Sequence, residues 1–490
     1  MSEKNIVEKI VARRRIDAQA RGFNFGFKIP EKRMRPVNPF MQEKGVILEV
    51  KRASPSKGDI APDLDAVQTA RKYAENGAGA ISCLTEENYF KGSLQDLMDI
   101  CNALPDVPVL RKDFLLNEEE IEIAYRCGAD AVLLICGILT LEELKKMAAK
   151  CRNLGIRALV EVRTESDVQK VLELKKEYEQ TIVCGVNARN LKDFSIDLLM
   201  PAMLKKKLGG HVIFESGITT EQAAQTVSSM GFQGCLLGEY AARNPENAGR
   251  FVKAFKNSGE NAYGRKIVEL AERIYSRTKL LKDGNLAEYR QPMVKVCGLT
   301  RKEDVLLADS LGAAFTGFIF ASGYGRNVCG KKFEEIRPVL KDVKAFKVAV
   351  ITDPESPEAE QAALLVEQNV LDFIQLHGIK YNSVPDFIRK LPHYFALTGK
   401  DCTESSVCSE MFSLGQARFL QDCRTHEYGS SEQLWLAGGV DAQNVRSLSD
   451  SFKPELIDVS SGLENGQTGI KSSEKMRQLF KALEYQEIAD

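Results

Sequence analysis

The sequence has few of the features that mark secreted, membrane-bound or metal-binding proteins. Among 490 residues there are only four histidines, and the twelve cysteines include no CxxC pair and no Cys/His cluster at zinc spacing. Several cysteines, such as Cys83, Cys136 and Cys235, lie inside apolar runs, which is typical of buried thiols in a reducing compartment. The pattern therefore predicts neither a disulfide framework nor a metal site.

Long apolar runs and an excess of one charge are also absent. No segment reaches the roughly 20 apolar residues of a membrane span, and the charged stretch 1–20 lacks the apolar run of a signal peptide. The formal net charge of −1 creates no overall field that attracts nucleic acid or an anionic membrane. We therefore expect a soluble, cytoplasmic protein without nucleic-acid, membrane or obligatory protein partners. Anionic small molecules would be bound by locally placed cations and backbone amides.

What the sequence does contain is a regular alternation of short apolar runs with longer amphipathic stretches. This alternation predicts βα units and parallel sheets. The candidate strands before residue 240 are GVILEV (45–50), GAISCLT (79–85), PVLRKDF (108–114), DAVLLI (130–135), IRALVEV (156–162), TIVCGVN (181–187), HVIFES (211–216) and GCLLGE (234–239). With a closing helix near 245–257, these strands fit one (β/α)8 barrel.

The alternation breaks at residues 258–291, where charge is heavy and no strand-like run occurs. The candidate strands after this break are MVKVCG (293–298), FTGFIF (315–320), FKVAVIT (346–352), FIQLHG (373–378), YFALTG (394–399), ARFLQD (417–422), LWLAGG (434–439) and LIDVSS (456–461). The sequence therefore predicts an α/β protein of two consecutive (β/α)8 TIM barrels, residues 1–257 and 292–490, joined by a partly helical linker at 258–291.

Polar residues cluster at the predicted carboxyl ends of these strands. In parallel barrels those ends meet on one face, which carries the chemistry. The residues in question are Glu49, Lys51, Lys112, Asp113, Glu161, Asn187, Glu215, Ser216, Gly238 and Glu239 in the first series, and Cys297, His377, Asp422, Gly438, Gly439, Ser460 and Ser461 in the second. Any single one can instead cap a helix or form a structural ion pair. Buried charges are costly unless paired, so the complete ring favours two active sites.

The motifs of the first series occur together and in order. They are ILEVKRASPSKGDI (47–60), YFKGSLQDL (89–97), PVLRKDF (108–114), LVEVRTESD (159–167), GVNARNL (185–191), ESGI (215–218) and LLGE (236–239). Over residues 1–257 the sequence resembles indole-3-glycerol-phosphate synthase. That resemblance implies ring closure of 1-(2-carboxyphenylamino)-1-deoxyribulose 5-phosphate, with loss of carbon dioxide and water.

The resemblance also implies roles for individual residues of the first half. Lys112 resembles the general acid, Glu161 the acid/base carboxylate, and Lys51 the residue that binds substrate anions and shares proton transfer. Glu49 and Asn187 resemble groups that orient the reacting centre. The expected substrate contacts are Arg189, Phe90 and Phe114 at the anthranilate ring, Glu215, and a phosphate cradle of Ser54, Ser216, Gly217, Gly238 and Glu239. For the two phenylalanines, ordinary core packing is the alternative.

The second series carries its own set of motifs. They are MVKVCGLTRKEDV (293–305), FIQLHG (373–378), LQD (420–422), LAGGV (436–440) and IDVSSGLE (457–464). Taken alone, Cys297 would be interpreted as a buried core residue, as would most cysteines of this chain. In this series, however, residues 293–483 resemble phosphoribosylanthranilate isomerase, which performs an Amadori rearrangement.

The resemblance implies that Cys297 is the base and Asp422 the acid of that rearrangement. Arg326 would contact the anthranilate carboxylate of the substrate. Gly439, Ser460 and Ser461 would form the phosphate cradle. For His377, structural packing and support of the active site both remain open.

The second half departs from the isomerase pattern at two places. GYGRNV (323–328) replaces a Pro-Arg pair, and YGSSEQ replaces a Gly-Thr-Gly loop after Asp422. The sequence predicts a bifunctional enzyme. One alternative is an active synthase fused to a non-catalytic isomerase-like barrel, and another is a pair of phosphate-metabolite sensors without chemistry. Neither reaction requires a metal, flavin or nicotinamide, so we expect no cofactor.

Overall fold

The computed structural model describes residues 6–189, 195–276, 291–431 and 433–484. The chain divides into two compact units, Met1–Glu260 and Asn261–Asp490. Each unit is built around a closed barrel of eight parallel strands. The predicted fold class, two consecutive (β/α)8 barrels, is therefore confirmed.

The strands of the first unit lie close to their predicted positions. They are β1 (Gly45–Val50), β2 (Ala53–Ser54), β3 (Gly58–Asp59), β4 (Ala80–Leu84), β5 (Val109–Lys112), β6 (Ala131–Ile135), β7 (Arg157–Val162), β8 (Ile182–Asn187), β9 (Val212–Glu215) and β10 (Gly234–Leu237). The barrel runs from β4 to β10 in chain order and closes through β1. Strands β2 and β3 form a short antiparallel hairpin beyond β1, which the sequence patterns did not reveal.

Helices alternate with these strands. They are α1 (Ile6–Arg21), α2 (Ala66–Glu75), α3 (Leu94–Ala103), α4 (Glu118–Arg126), α5 (Leu141–Leu154), α6 (Glu165–Tyr178), α7 (Leu199–Leu208), α8 (Glu221–Ser229), α9 (Glu239–Arg243) and α10 (Ala248–Asn257). Several begin at a side chain that satisfies the first free amides. Thr140 with Glu143 and Thr164 with Asp167 form reciprocal capping boxes at α5 and α6.

The interior of the first barrel is layered by polarity. Its lower part is apolar and is filled by Ile47, Leu110, Leu133, Leu159, Val183 and Ile213. Strand residues two apart share a face, so the next inward positions carry the ionisable groups. These positions include Glu49, Lys112, Glu161 and Glu215. The strand pattern thus places several ionisable side chains above the apolar layer of the barrel interior.

The second unit repeats the architecture with shorter elements. Its strands are β11 (Met293–Val296), β12 (Phe315–Ile319), β13 (Phe346–Ile351), β14 (Phe373–His377), β15 (His393–Thr398), β16 (Leu420–Asp422), β17 (Trp435–Ala437) and β18 (Leu456–Val459). Its helices are α11 (Ala262–Ser276), α12 (Lys302–Ser310), α13 (Lys331–Ile336), α14 (Pro357–Glu367), α15 (Asp386–Arg389), α16 (Ser405–Ser413), α17 (Val445–Phe452) and α18 (Ser473–Leu483). The strands follow chain order around the barrel, and β18 closes on β11.

Aromatic side chains fill the lower interior of the second barrel. Phe315, Phe346, Phe373, Tyr394 and Trp435 form a closed ring, in which successive ring centroids are 5.3, 5.3, 6.0, 5.2 and 5.6 Å apart. Aromatic rings at such separations attract one another beyond simple burial. Trp435, the one tryptophan of the sequence, is fully buried here. Its fluorescence therefore reports on the core of the second barrel.

The predicted linker contains helix α11, which packs on the second unit. Arg273 donates hydrogen bonds to the carbonyl oxygens of Ala314 and Lys344 at 2.9 and 2.8 Å. Lys266 lies 3.1 Å from a carboxylate oxygen of Asp372. Residues 277–290 of the predicted linker lie outside the described residues. The domain bounds drawn from the sequence remain a prediction.

Two further properties concern the whole described chain. Of its helices, none combines the length and the apolar character needed to cross a membrane. The twelve cysteines are free thiols, and all but Cys329 are buried. Their predicted burial is thus confirmed for eleven of the twelve.

Candidate active sites

Lys112 lies at the centre of the first barrel's mouth, at the carboxyl end of β5. Its ammonium nitrogen is 2.8 Å from Oε2 of Glu215 and 3.7 Å from Oε2 of Glu161. Burial disfavours the ammonium, but Glu215, Glu161 and Glu49 outweigh it and raise the pKa of Lys112. Lys112 is therefore a protonated group at neutral pH and can act as an acid.

Glu161, at the end of β7, has the opposite character. Its Oε1 is 2.6 Å from Nη2 of Arg163, and its Oε2 accepts a hydrogen bond from Nδ2 of Asn187 at 3.2 Å. Burial opposes ionisation, but Arg163 and Lys112 overcome it and lower the pKa of Glu161. Glu161 is thus held as a carboxylate within 4 Å of a protonated lysine. The sequence analysis did not select Arg163.

Glu215 is the third member of this cluster. Its Oε2 binds Lys112, whereas its Oε1 is buried without a hydrogen-bond partner among the described residues. Gly185 on β8 makes room for this oxygen, since a Cβ atom there would lie only 2.2 Å from Oε1. Burial raises the pKa of Glu215 to about 7, against the opposing effect of Lys112. The group can therefore change charge near neutral pH.

The end of β1 adds a second cation and an aromatic wall. Lys51 lies 3.3 Å from Oε1 of Glu49, whose Oε2 accepts a hydrogen bond from Ser82. The Lys51 ammonium also lies 5.4 Å from the centroid of the Phe90 ring. Phe90 and Phe114 are themselves 6.1 Å apart. Both rings are only partly buried, and Phe114 also packs against the apolar core of the barrel, so their role as a wall for the anthranilate ring remains a prediction.

The predicted phosphate cradle falls on the loops after the adjacent strands β9 and β10. Ser216 and Gly217 both have left-handed backbone, with φ of 73° and 80°, so the chain turns sharply as β9 ends. Gly238 precedes α9, while the carboxylate of Glu239 is 3.3 Å from Arg243 on that helix. The Glu239 carboxylate is thus paired with Arg243, so the part of Glu239 that can bind an anion is its backbone amide. Binding of the substrate phosphate by these two loops remains a prediction.

Two other predicted groups border this mouth. Ser54 is buried in the β2–β3 hairpin, with its hydroxyl 3.5 Å from that of Ser56. Arg189 is held next to Asn187, whose Oδ1 accepts its backbone N–H at 3.0 Å. Burial lowers the pKa of Arg189. The end of the GVNARNL motif, residues 190–191, lies outside the described residues.

A buried charge cluster behind Lys112 was missed by the sequence analysis. Arg14 on α1 binds Glu120 at 2.5 Å and Asp113 at 3.3 Å, and Arg111 also binds Asp113 at 3.3 Å. Asp113 directly follows Lys112, and its Oδ1 accepts the backbone N–H of Phe114 at 2.8 Å. The N-terminal helix therefore fixes the segment that carries the predicted acid and half of the aromatic wall.

The mouth of the second barrel is built from the ends of β11, β14 and β16. Cys297 follows β11 and is 6% exposed, and its backbone N–H binds Val459 at 2.9 Å. Gly317 on β12 leaves space for the thiol, because a Cβ atom there would lie 2.8 Å from Sγ. Burial raises the pKa of Cys297, and Lys295 opposes that shift. The surroundings of Cys297 therefore favour the neutral thiol, and Lys295 is the group that most opposes this effect.

Asp422 and His377 complete this mouth. Burial raises the pKa of Asp422, opposed by His377, and burial lowers the pKa of His377. Nδ1 of His377 is buried and makes no hydrogen bond within the described residues. The charges of Lys295 and Asp458 act on both Cys297 and Asp422, and all of these residues lie at or next to the carboxyl ends of strands in one barrel.

Arg326 lies beside this mouth. A Cβ atom at Gly298, directly after Cys297, would lie 2.6 Å from its Cδ. Its guanidinium binds both carboxylate oxygens of Glu464 at 2.7 and 2.9 Å. The shifted GYGRNV segment thus still delivers an arginine to the mouth. Its contact with a substrate carboxylate remains a prediction.

The predicted phosphate cradle of the second barrel lies on the loops after β17 and β18. Ser460 donates a hydrogen bond to the carbonyl oxygen of Cys297 at 3.2 Å, and Ser461 starts a 3-10 turn, Ser461–Leu463. The carbonyl oxygen of Gly439 accepts a hydrogen bond from Asn444 at 2.8 Å. Because β17 and β18 are neighbours, these loops lie on one side of the barrel. Within the described ranges, no group of three or more His, Cys, Asp or Glu side chains is arranged to hold a metal ion.

Known proteins are similar to both units. Residues 7–255, just over half of the 490, match the family model "Indole-3-glycerol phosphate synthase". Residues 294–482 match the model "N-(5'phosphoribosyl)anthranilate (PRA) isomerase". An indole-3-glycerol phosphate synthase of Exiguobacterium sibiricum is 42% identical over 44% of this chain and 83% of its own length.

Two further proteins are similar to this chain, one over most of its length and one over a smaller part. A multifunctional tryptophan biosynthesis protein of Phanerodontia chrysosporium is 29% identical over 89% of this chain, which spans 63% of that longer protein. A solved phosphoribosyl anthranilate isomerase of Thermus Thermophilus is 29% identical, with a TM-score of 0.33, and covers 39% of this chain and 98% of its own. The predicted order of a synthase domain followed by an isomerase domain is confirmed. The chain thus belongs to the indole-3-glycerol phosphate synthase family and carries a PRA isomerase domain as its second barrel.

Proposed function

We propose that this chain catalyses two consecutive steps of tryptophan biosynthesis on small phosphorylated substrates in the cytoplasm. The second barrel isomerises N-(5-phosphoribosyl)anthranilate to 1-(2-carboxyphenylamino)-1-deoxyribulose 5-phosphate. The first barrel then closes the ring of that product to give indole-3-glycerol phosphate. The order of the two domains, and their likeness to the multifunctional relative, support this pairing.

The observation that carries the synthase proposal is the close pairing of Lys112 with Glu161. Ring closure needs a proton donor at the substrate ketone and a carboxylate base for dehydration. Lys112 is kept protonated and Glu161 ionised, in part because they lie only 3.7 Å apart and each stabilises the charge of the other. Lys112 donates its proton to the ketone oxygen as the new carbon–carbon bond forms. Carbon dioxide then leaves, and Glu161 takes the proton whose loss accompanies the departure of water.

Binding groups around this pair match the other parts of the substrate. The half-buried rings of Phe90 and Phe114 offer an apolar surface to the anthranilate ring. Lys51, next to Phe90, supplies a cation for the substrate carboxylate. The left-handed turn at Ser216 and Gly217 presents backbone amides to the phosphate.

In the isomerase reaction, Asp422 acts as acid and Cys297 as base. Asp422 donates a proton to the furanose oxygen, which opens the sugar ring. Cys297, as thiolate, then takes the proton from C2′, and tautomerisation gives the aminoketose. Burial favours the protonated carboxyl that the first step requires. The convergence of Cys297, His377 and Asp422 at one mouth weighs against a non-catalytic second barrel.

A coupled assay with the purified full chain tests both activities together. N-(5-phosphoribosyl)anthranilate is supplied, and indole-3-glycerol phosphate is followed by its absorbance and by mass. We expect its formation without any added enzyme. Accumulation of the aminoketose would contradict the synthase, whereas unchanged starting material, with turnover of supplied aminoketose, would contradict the isomerase.

A further inference from the structure

A buried ion pair lies below the mouth of the second barrel, and the sequence analysis gave neither of its members a role, although both lie within quoted motifs. Nζ of Lys295 is 2.6 Å from Oδ2 of Asp458, and their side chains are 1% and 8% exposed. The two residues are direct partners on the adjacent strands β11 and β18. Exchanging a buried ion pair for apolar groups is often neutral or stabilising. Stability alone therefore does not explain this pair inside the barrel.

The pair lies next to the proposed base. Lys295 precedes Cys297 by two residues and shares its inward face. Its positive charge opposes the effect of burial on the pKa of the Cys297 thiol. Gly317 has no side chain that could separate the Cys297 thiol from the interior, since a Cβ atom there would lie 2.8 Å from the thiol sulfur. Ser460, two residues after Asp458, binds the carbonyl oxygen of Cys297. Thiol, ammonium and carboxylate are thus fixed in one arrangement.

The same pair acts on the proposed acid. Oδ1 of Asp458 is buried and has no hydrogen-bond partner among the residues that the structure describes. The negative charge of Asp458 opposes ionisation of Asp422, in addition to the larger effect of burial. Asp458 also favours the protonated form of His377. The carboxylate that anchors Lys295 therefore also influences the acid.

The other charges around these groups come from several elements. The groups that interact with Cys297 are Lys295, Asp458, Tyr394, Arg326 and Lys471. Those that interact with Asp422 are His377, Asp458, Lys295, Arg424, Tyr428 and Cys402. Only Lys295 and Asp458 occur in both sets and bind each other directly.

We propose that Lys295 and Asp458 are positioning residues of the isomerase, in which the Lys295 ammonium stabilises the Cys297 thiolate while Asp458 anchors Lys295. The pair exchanges no proton with the substrate and acts only through its position and charge. The catalytic part of this proposal rests on the proposed isomerase function. The state of the thiol can be measured without any turnover.

The test is the pH dependence of Cys297 alkylation by iodoacetamide in the full chain. Peptide mass mapping follows Cys297 separately from the other cysteines. In Lys295→Met, we expect the rate at neutral pH to fall about tenfold or more, because each unit of increase in thiol pKa removes about nine-tenths of the thiolate. The exposed Lys302→Met serves as the matched control and should alkylate as the wild type does.

Lys295→Met leaves Asp458 without its partner and can impair folding. The double variant Lys295→Met/Asp458→Leu avoids a lone buried charge, and the fluorescence of Trp435 checks the core of its barrel. Because Lys295 acts on the thiol more strongly than Asp458 does, we expect slower alkylation in this variant as well. An unchanged alkylation profile in a folded double variant would overturn the proposal.

Turnover supplies the second readout. The reactive form pairs a thiolate with a protonated acid, so a higher thiol pKa lowers the plateau of the isomerase pH profile. It also moves the alkaline limb to higher pH. A structural role would lower the rate without moving that limb, and such a result would overturn the proposal. A wild-type chain without isomerase activity would instead refute the proposed function, while the alkylation profile would still report on the ion pair.

Discussion

The two barrels share one strand order but hold the ionisable groups at their mouths in different ways. In the first barrel, Lys112 contacts Glu215 at 2.8 Å and Glu161 at 3.7 Å, so opposite charges compensate one another directly. In the second barrel, burial keeps both Cys297 and Asp422 towards their neutral forms. The ion pair of Lys295 with Asp458 lies below them.

The difference shows two routes to an acid and a base in one cavity. Direct contact gives Lys112 and Glu161 opposite charges that vary little with pH, because each stabilises the other. Burial raises the pKa of Asp422, so this carboxyl is easily protonated. Burial also disfavours the Cys297 thiolate, which then depends on a nearby cation. The synthase activity of the first barrel should therefore depend most on the direct contact of Lys112 with its carboxylate partners. The isomerase activity of the second barrel should depend most on the ion pair of Lys295 with Asp458 below its mouth.

The largest effect is expected when the carboxylate is removed from the contact network. Glu161→Gln keeps the shape but loses the base, so the synthase rate should fall by about 10²- to 10⁴-fold. The isomerase rate of the same protein should not change. Glu165→Gln, an exposed glutamate at the start of α6, is the control. Near-normal synthase turnover in Glu161→Gln would show that direct pairing is not how the first barrel works.

The next prediction concerns the charges behind Lys112. Arg14 is 4% exposed and binds both Asp113 and Glu120, so Arg14→Leu leaves two buried carboxylates short of a partner. We expect the free energy of unfolding of the first unit to fall by about 3–5 kcal/mol. Urea unfolding followed by circular dichroism measures the change, while Trp435 fluorescence reports an unchanged second barrel.

Its control is a neighbouring arginine on the same helix. Arg13 is 51% exposed and pairs with Asp17, so Arg13→Leu should cost less than about 1 kcal/mol. Equal losses in the two variants would mean that the buried cluster does not stabilise the segment around Lys112.

A smaller effect is expected when a fall in pH protonates Glu215, and it should appear in the synthase rate but not in the isomerase rate. The pKa of Glu215 is raised to about 7, so its carboxylate is present above that pH and is lost as the pH falls through it. Protonation removes the charge that holds Lys112, and we expect the synthase rate to decrease about tenfold per unit below the inflection. Glu215→Gln should abolish the inflection without affecting the isomerase profile. An inflection that persists in Glu215→Gln would assign it to another group.

The smallest effect is expected at the phosphate cradle of the second barrel. Ser460→Ala removes a hydroxyl proposed to bind the substrate phosphate, so the KM of the isomerase should rise about tenfold with little change in kcat. Ser451→Ala, on the exposed side of α17, should leave both constants unchanged. A fall in kcat alone would instead indicate that Ser460 acts through its hydrogen bond to Cys297.

Much of the fold could be predicted because its patterns are local. Each parallel strand appears as a short apolar run, and its carboxyl end is marked by polar residues such as Lys112, Glu161 and Asp422. One resemblance per barrel then supplied the expected roles. The shifted GYGRNV segment still brings Arg326 to the mouth, because Glu464 holds it there.

The contacts that set charge states could not be predicted in the same way. Arg14 and Glu120 are 106 residues apart, and Lys295 and Asp458 are 163 residues apart. No local pattern relates such residues, since only the closed barrel brings their strands and helices together. Lys295 is the one charged residue of strand β11, but nothing near it in the sequence shows that Asp458 compensates its charge. A sequence pattern reveals where charges occur but not which charge compensates which.

The central claim is that each barrel carries its own reaction on its own pair of groups. The most direct test assays Lys112→Met and Cys297→Ala separately on the ribosylamine and on the aminoketose. Lys112→Met should lose ring closure and keep isomerisation, and Cys297→Ala should show the reverse. Wild-type turnover of both substrates by both variants, or loss of both reactions in either folded variant, would contradict the account.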